Sequence, residues 1–197
     1  MVHRRKIIVR ISESGDGFIA RRDGSFDWLE RPCPKGNYGM DAFYKSIDTI
    51  LWGRKTCDMA LEFQRKGVSG TAFDTKVKNY VFMRSLLQSP APLGVEFVSE
   101  PIKSFASRLR ERKGKDIWIM GGAGIIASFL DDEEIDKFMI HVIPTFIGEG
   151  IPLIAPDRRT VPLKLISCTK FTDGVVKLHC AVQVSSRLAF VVNAGDL

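Results

Sequence analysis

Ile50-Leu51-Trp52-Gly53-Arg54-Lys55-Thr56 carries an apolar strand into a helix through one glycine. The run 47–52 reads as a buried strand, and 56–66 reads as the helix that follows. Arg54 and Lys55 therefore lie near a helix N-terminus, an end that already carries about half a positive charge. Two further cations are unfavourable there unless an anion is bound, and free N–H groups at a helix start form a ready phosphate site. Thr56 can cap the helix or donate to the anion. The bland alternative is a pair of solvated surface cations.

The same strand-to-turn pattern recurs further along the chain. Met120-Gly121-Gly122-Ala123-Gly124-Ile125 follows the strand 116–120 and opens a helix over 124–130. Its glycines let a backbone approach a pyrophosphate closely. A branched side chain at Gly122 is expected to block a ligand there at little cost in folding. Gly122-x-Gly124-x-x-Ala127 also fits the loose Rossmann expression. Its late position and the Val142 that stands 20 residues on, where an acid belongs, weigh against a Rossmann unit. Tight strand–helix packing is the alternative. Met83-Arg84-Ser85 ends a third strand, 77–83. Ligands of open α/β sheets bind beyond the carboxyl ends of strands, where all three segments lie.

Around these turns the chain alternates strands and helices. A first strand covers 7–11, a short helix 40–46, a strand 95–98, a helix 101–113 with Pro101 in its first turn, and a strand 135–143. The segments 163–171 and 175–184 flank Thr172-Asp173-Gly174 as a hairpin. The expected fold class is α/β, with a mainly parallel central sheet, helices on both faces and a C-terminal antiparallel hairpin at the edge. One domain is expected.

The chain has 197 residues, of which 45% are hydrophobic and 26% charged, an ordinary globular composition. No apolar run reaches the length of a membrane span, and the basic start is followed by too short an apolar run for a signal peptide. A cytoplasmic protein is expected. The 4 cysteines form no C-x-x-C pair and only 3 histidines are present, so free thiols and no metal site are expected. The net charge of +6 is spread along the chain, and nucleic acid is not the expected partner.

Five ordered motifs resemble the dihydrofolate reductase-like family, and within it the branch that includes the C-terminal reductase domain of bacterial riboflavin-biosynthesis proteins. They are Ser14-Gly15-Asp16-Gly17-Phe18-Ile19-Ala20, Asp23-Gly24-Ser25-Phe26-Asp27-Trp28-Leu29, Asp48 to Thr56, Asp116 to Gly124, and Gly148-Glu149-Gly150-Ile151-Pro152-Leu153. The resemblance implies an NADPH-dependent reductase acting on a small-molecule C=N or C=O bond, pterin-like or pyrimidine-like, and a homodimer. Gly53, Arg54, Lys55 and Thr56 would hold cofactor phosphates, with Arg54 and Lys55 favouring NADPH over NADH. Met83, Arg84 and Ser85 would flank the adenosine. Gly121, Gly122, Ala123, Gly124 and Ile125 would line the pyrophosphate and nicotinamide side. Ile19 and Ala20 would meet the nicotinamide through their backbone, and Asp27 and Trp28 would lie on a mobile loop over the substrate.

Where dihydrofolate reductases place a pterin-gripping carboxylate, this chain has Asn37, with Asp41 one helical turn later, so folate reduction is not expected. Neither H-x-E nor P-C-x-x-C occurs, so a zinc deaminase half is not expected either. The reductase domain is assigned to 1–184, and the tail 185–197 lies outside the resemblance. Hydride transfer needs orientation and a polar group near the acceptor, for which Asp27, Asp41 and Glu149 are candidates. A carboxyl that donates a proton needs a raised pKa, hence burial. Arg10 interrupts an apolar strand and faces a cleft or solvent. His141 and His179 read as structural. The alternative function is a non-catalytic NADP(H)-binding or sensing protein.

Overall fold

Residues 7–14 form β1 (Ile7–Ser14), in which Ile7 and Val9 point to one side of a sheet and Ile8 and Arg10 to the other. The computed structural model describes residues 4–67, 73–74, 76–83 and 91–183. The expected site residues Arg84 and Ser85, and the tail 185–197, lie outside the described residues. After β1 come β2 (Phe18–Ala20), α1 (Met40–Ser46), β3 (Ile47–Gly53), α2 (Arg54–Arg65), β4 (Lys78–Phe82), β5 (Val95–Val98) and α3 (Ile102–Glu111). The chain continues through β6 (Asp116–Gly121), α4 (Ala123–Asp131), β7 (Lys137–Ile143), β8 (Ile151–Pro152), β9 (Leu163–Lys170) and β10 (Val176–Val182).

Eight strands form one sheet in the order β5-β4-β3-β6-β1-β7-β10-β9. From β5 to β7 every pairing is parallel, with Ile50 opposite Trp118 and Leu51 opposite Ile119 between β3 and β6. The hairpin β9–β10 adds the antiparallel edge expected around Asp173-Gly174. The fold is therefore the α/β, dihydrofolate reductase-like arrangement that the motifs imply.

Helices cover both faces. On one, Phe105, Ala106 and Leu109 of α3 and Ile126 and Phe129 of α4 pack on Ile7, Val9, Leu51 and Ile119. On the other, Phe43 of α1 and Cys57 and Ala60 of α2 pack on Ile8, Ile50, Trp52 and Trp118. α3 buries positions spaced 3–4 residues apart, the pattern of an amphipathic helix. α4 buries six of its nine residues and lies deepest.

Several boundaries depart from expectation, and β1 runs on to Ser14, past the expected end at 11. The helix after Gly53 starts at Arg54, without the two-residue lead-in that the cations suggested. Pro101 stands just before α3 as its N-cap. The small antiparallel pair β2–β8 is new; strands this short carry no readable alternation. No helix among the described residues is long and apolar enough to cross a membrane.

Candidate active site

β3 and β6 are parallel neighbours, so the turns that follow them lie side by side at one edge of the sheet. The hydroxyl of Thr56 donates to the carbonyl of Gly121 at 3.2 Å and ties the two turns together. It therefore does not cap its own helix. Neither α2 nor α4 receives a hydrogen bond from an N-cap side chain, so their leading N–H groups lack that acceptor. A Cβ on Gly53 would sit 3.3 Å from the Gly121 carbonyl, so the bare backbone permits this approach. Gly122 has φ +98°, a conformation that side chains resist, whereas a Cβ on Gly124 would meet nothing within 4 Å. Ala123 and Ile125 are buried under the turn.

Arg54 leans along the surface of α2. Its guanidinium pairs with Asp58 at 2.8 Å, reaches the Met83 sulfur at 3.3 Å and lies 5.9 Å from the Phe97 ring centre. Asp58 raises the pKa of Arg54, which is charged in any case. Lys55 is exposed beside it. The structure thus brings Gly53, Arg54, Lys55, Thr56, Met83 and the 121–125 turn to one place.

A clasp holds the next wall. Ser14 Oγ donates to Asp16 at 2.5 Å and accepts the Phe18 N–H, and Asp16 accepts the N–H groups of Ile147 and Gly148. The first and last family-like motifs therefore touch. These bonds hold the Asp16 carboxyl below the ordinary range. Ile19 and Ala20 lie in β2 against Ile151 and Pro152. A Cβ on Gly150 would fall 2.2 Å from the Ala20 carbonyl, so only glycine permits this pairing.

The carboxylates chosen from sequence are not buried. Asp27 is 59% exposed and pairs with Arg21 through both oxygens, which holds its pKa down. Glu149 is 64% exposed and pairs with Arg22 at 2.8 Å. Asp41 is exposed in the first turn of α1. Trp28 is 9% exposed and packs on Ile143 and Val175. None of the three carboxylates meets the burial condition for a proton donor.

Gly36, Asn37, Tyr38 and Gly39 all have positive φ, from 44° to 86°, and make a left-handed turn ahead of α1. Arg10 holds this turn from below. Only 6% exposed, it donates to the carbonyls of Tyr38 at 2.8 Å and Gly39 at 3.3 Å and stacks over Phe43. It faces neither an open cleft nor solvent, because its guanidinium is used up by the backbone. Tyr38 also donates its phenol to Asp173 at 2.5 Å. His141 is buried against Tyr38 and Phe171, and burial pushes its pKa down to about 4, so the ring is neutral near pH 7.

Glu13 was not singled out by the sequence. It is half-buried on β1, and burial raises its pKa. It shares a face with Ile11, whose Cδ1 lies 3.2 Å from the place of a Cβ on Gly121. In sequence it lies beyond the expected strand 7–11; the longer β1 brings it into the sheet.

The profile of the RibD C-terminal domain family matches residues 5–177. An uncharacterized Bacillus subtilis (strain 168) protein, YwjB, is 36% identical over 176 residues, covering 89% of this chain and 97% of that protein. A Thermotoga maritima diaminohydroxyphosphoribosylaminopyrimidine deaminase/5-amino-6-(5-phosphoribosylamino)uracil reductase superposes with TM-score 0.67 at 20% identity. That match covers 91% of this chain and 57% of the Thermotoga chain. Enterococcus faecalis dihydrofolate reductase, complexed with NADP(H), superposes with TM-score 0.61 at 10% identity, over 93% of this chain and 100% of that one. Both superpositions bear on the fold.

Proposed function

The chain belongs to the RibD C-terminal domain family, and from that premise we propose that it is an NADPH-dependent reductase of a small-molecule C=N or C=O bond, pterin-like or pyrimidine-like. The observation that carries the proposal is the pair of uncapped glycine turns, bonded to each other at the ends of neighbouring parallel strands, with Arg54 and Lys55 beside them. These residues fit a dinucleotide: two helix starts offer N–H groups to phosphates, and the space over Gly124 is open. Gly53, Arg54, Lys55 and Thr56 would hold phosphates, and Met83, with Arg84 and Ser85, the adenosine. Gly121 to Ile125 would follow the pyrophosphate, and the backbone of Ile19 and Ala20 the nicotinamide. The hydride comes from NADPH when it is bound.

Around the acceptor the chain supplies orientation. Trp28, Asp27, Asp41 and Glu149 are proposed as the substrate-side residues, with Asp27 kept ionised by Arg21 and Glu149 paired with Arg22. The proton donor we propose is Glu13, because it shares a face of β1 with Ile11, which packs at the Gly121 turn, and burial raises the pKa of its carboxyl. Turnover should then fall as pH rises through the Glu13 pKa. Glu13→Gln should lower kcat by about 100-fold, within the usual range for general acids, and flatten that limb of the profile. An unchanged pH profile in Glu13→Gln would remove Glu13 from the reaction.

The cofactor half is tested by titrating NADPH and NADH. NADPH should bind more tightly, and Arg54→Ala should weaken it by about 1.5 kcal/mol while changing NADH less. The low end of the charge-assisted range applies because Arg54 is partly exposed and already paired with Asp58. Equal losses for both cofactors would reject recognition of the 2′-phosphate. A second reading, a non-catalytic NADP(H)-binding protein, is favoured by the exposure of Asp27, Asp41 and Glu149. It predicts cofactor binding without turnover of any acceptor.

We extend the proposal to one cytoplasmic reductase domain over 1–184, with 185–197 as a separate tail. A homodimer is part of it, for which β9 offers an edge with Leu163, Leu165 and Ile166 exposed.

A further inference from the structure

At the opposite edge of the sheet, where β3 and β4 begin, lies a cavity of about 220 Å³. Its floor is Arg5, whose guanidinium bonds Asp48, Thr49 at 2.8 Å and the carbonyls of Lys115 at 2.6 Å and Leu109 at 3.2 Å. Asp48, the cavity's one carboxylate, also accepts the Lys115 N–H at 2.9 Å. A Cβ on Gly114 would fall 2.5 Å from Asp48 and 3.0 Å from Arg5, so the loop after α3 closes onto this pair only because residue 114 is glycine. That closure brings Arg112 and Lys113 to the same rim as Lys76 and Lys78.

Four cations therefore face one small cavity whose only carboxylate is already engaged. Among the described residues, none of these four side chains makes a hydrogen bond or an ion pair. They are not needed to balance the end of α3. The basic residues in its last turn, Arg108 and Arg110, have their own partners in Glu100 and in Glu134 and Asp136. The four cations are exposed at the rim of a concavity, where like charges repel one another and focus a positive potential into it. A multiply charged anion relieves that repulsion and gains charge-assisted hydrogen bonds from each side chain. The volume is below the roughly 300–1,000 Å³ of pockets for larger organic ligands and suits a compact anionic group.

We propose that this cavity binds a small molecule through a diphosphate group, on Lys76, Lys78, Arg112 and Lys113, at the sheet edge away from the cofactor turns. The site is separate from Arg54, so both ends can be filled at once.

The test is calorimetric titration of the full chain with sodium pyrophosphate at about 0.15 M salt, where charges more than about 8 Å apart are largely screened. Two saturable sites are expected, this cavity and the cofactor turns. Lys78→Glu/Arg112→Glu should weaken the first by at least about tenfold, the scale of a lost charge-assisted hydrogen bond, and leave the second. Arg54→Ala should weaken the second and leave the first. Lys78→Gln/Arg112→Gln should show the same loss in smaller degree, which guards against misfolding of the charge-reversed chain. At the first site, ADP matching pyrophosphate, with AMP weaker, supports recognition of a free diphosphate group; ADP binding more tightly than pyrophosphate supports a nucleotide source. Absence of saturable heat overturns the proposal. So does loss of all binding in Arg54→Ala but of none in the double variants, since the anion would then sit only on the cofactor turns. Displacement by single-stranded oligonucleotides with affinity rising with their length overturns it in favour of nucleic acid.

Discussion

NADPH binding is expected to disappear in Gly122→Val and to weaken by at least about tenfold in Gly124→Val, while only the first variant loses stability. Gly122 has φ +98°, and a Cβ there would press on Thr56 Oγ1 at 3.1 Å. A branched residue in that conformation costs about 1–3 kcal/mol of backbone strain. In a domain of this size that lowers Tm by roughly 2–4 °C per kcal/mol. The expectation of a small folding cost at this position therefore gives way to a measurable one. Gly124 differs: it lies in the first turn of α4, its φ is ordinary and nothing stands within 4 Å of an added Cβ. Valine there should leave Tm unchanged or slightly raised, because glycine is the poorer helix former. Any loss of NADPH affinity in Gly124→Val then comes from the ligand's space alone. Thermal unfolding of the apo protein and NADPH titration on the same two variants decide it. Normal binding by Gly124→Val would move the pyrophosphate off this turn.

Arg5→Met is expected to destabilise the protein by about 3 kcal/mol, the low end for breaking a buried ion pair. Arg5 is 4% exposed, and its removal strands Asp48, Thr49 and two carbonyls at once. Part of the carboxylate reaches solvent, which is why the low end applies. The loop around Gly114 has no room to shift a replacement donor inward. Urea unfolding measures the loss as a lower midpoint at unchanged slope. Removing Asp48 as well, in Arg5→Met/Asp48→Leu, should cost less than the sum of the two single changes, the sign of a shared interaction. A loss under about 0.5 kcal/mol in Arg5→Met would mean that the pair behaves as a surface bridge.

Long periodic segments were legible from residues alone. The runs around Leu51 and Ile119 read as buried strands, and they are parallel neighbours. Thr172-Asp173-Gly174 announced a hairpin, and β9 and β10 form it. The glycine turns were legible as a pair because glycine marks backbone approaches that a Cβ forbids. What stayed hidden depends on distant partners. β2 and β8 are too short to show a period. Asp27 and Glu149 looked like acids of a site, yet each is exposed and ion-paired, with Arg21 and Arg22, and spacing does not reveal which arginine reaches which carboxylate. Arg10 looked set to face a cleft or solvent, but the Tyr38 and Gly39 carbonyls occupy it. Glu13 passed unnoticed because the expected strand stopped at 11, whereas β1 runs on to Ser14.

The left-handed turn before α1 has a consequence for the order in which the molecule assembles. Arg10 holds the Tyr38 carbonyl, and the Tyr38 phenol is held by Asp173, 135 residues later in the chain. A closure that long is slow and comes after local structure. During synthesis the glycine turns can therefore settle while the 36–39 segment still samples right-handed and extended states. Cofactor-binding competence should precede completion of the substrate side. Pulse-labelled hydrogen exchange during refolding would show it as protection at Tyr38 and Gly39 arriving with that of β10 and after that of β3 and β6. Simultaneous protection of all four would mean that the hairpin is in place from the first. A half-made molecule would thus hold its nucleotide before it could meet an acceptor.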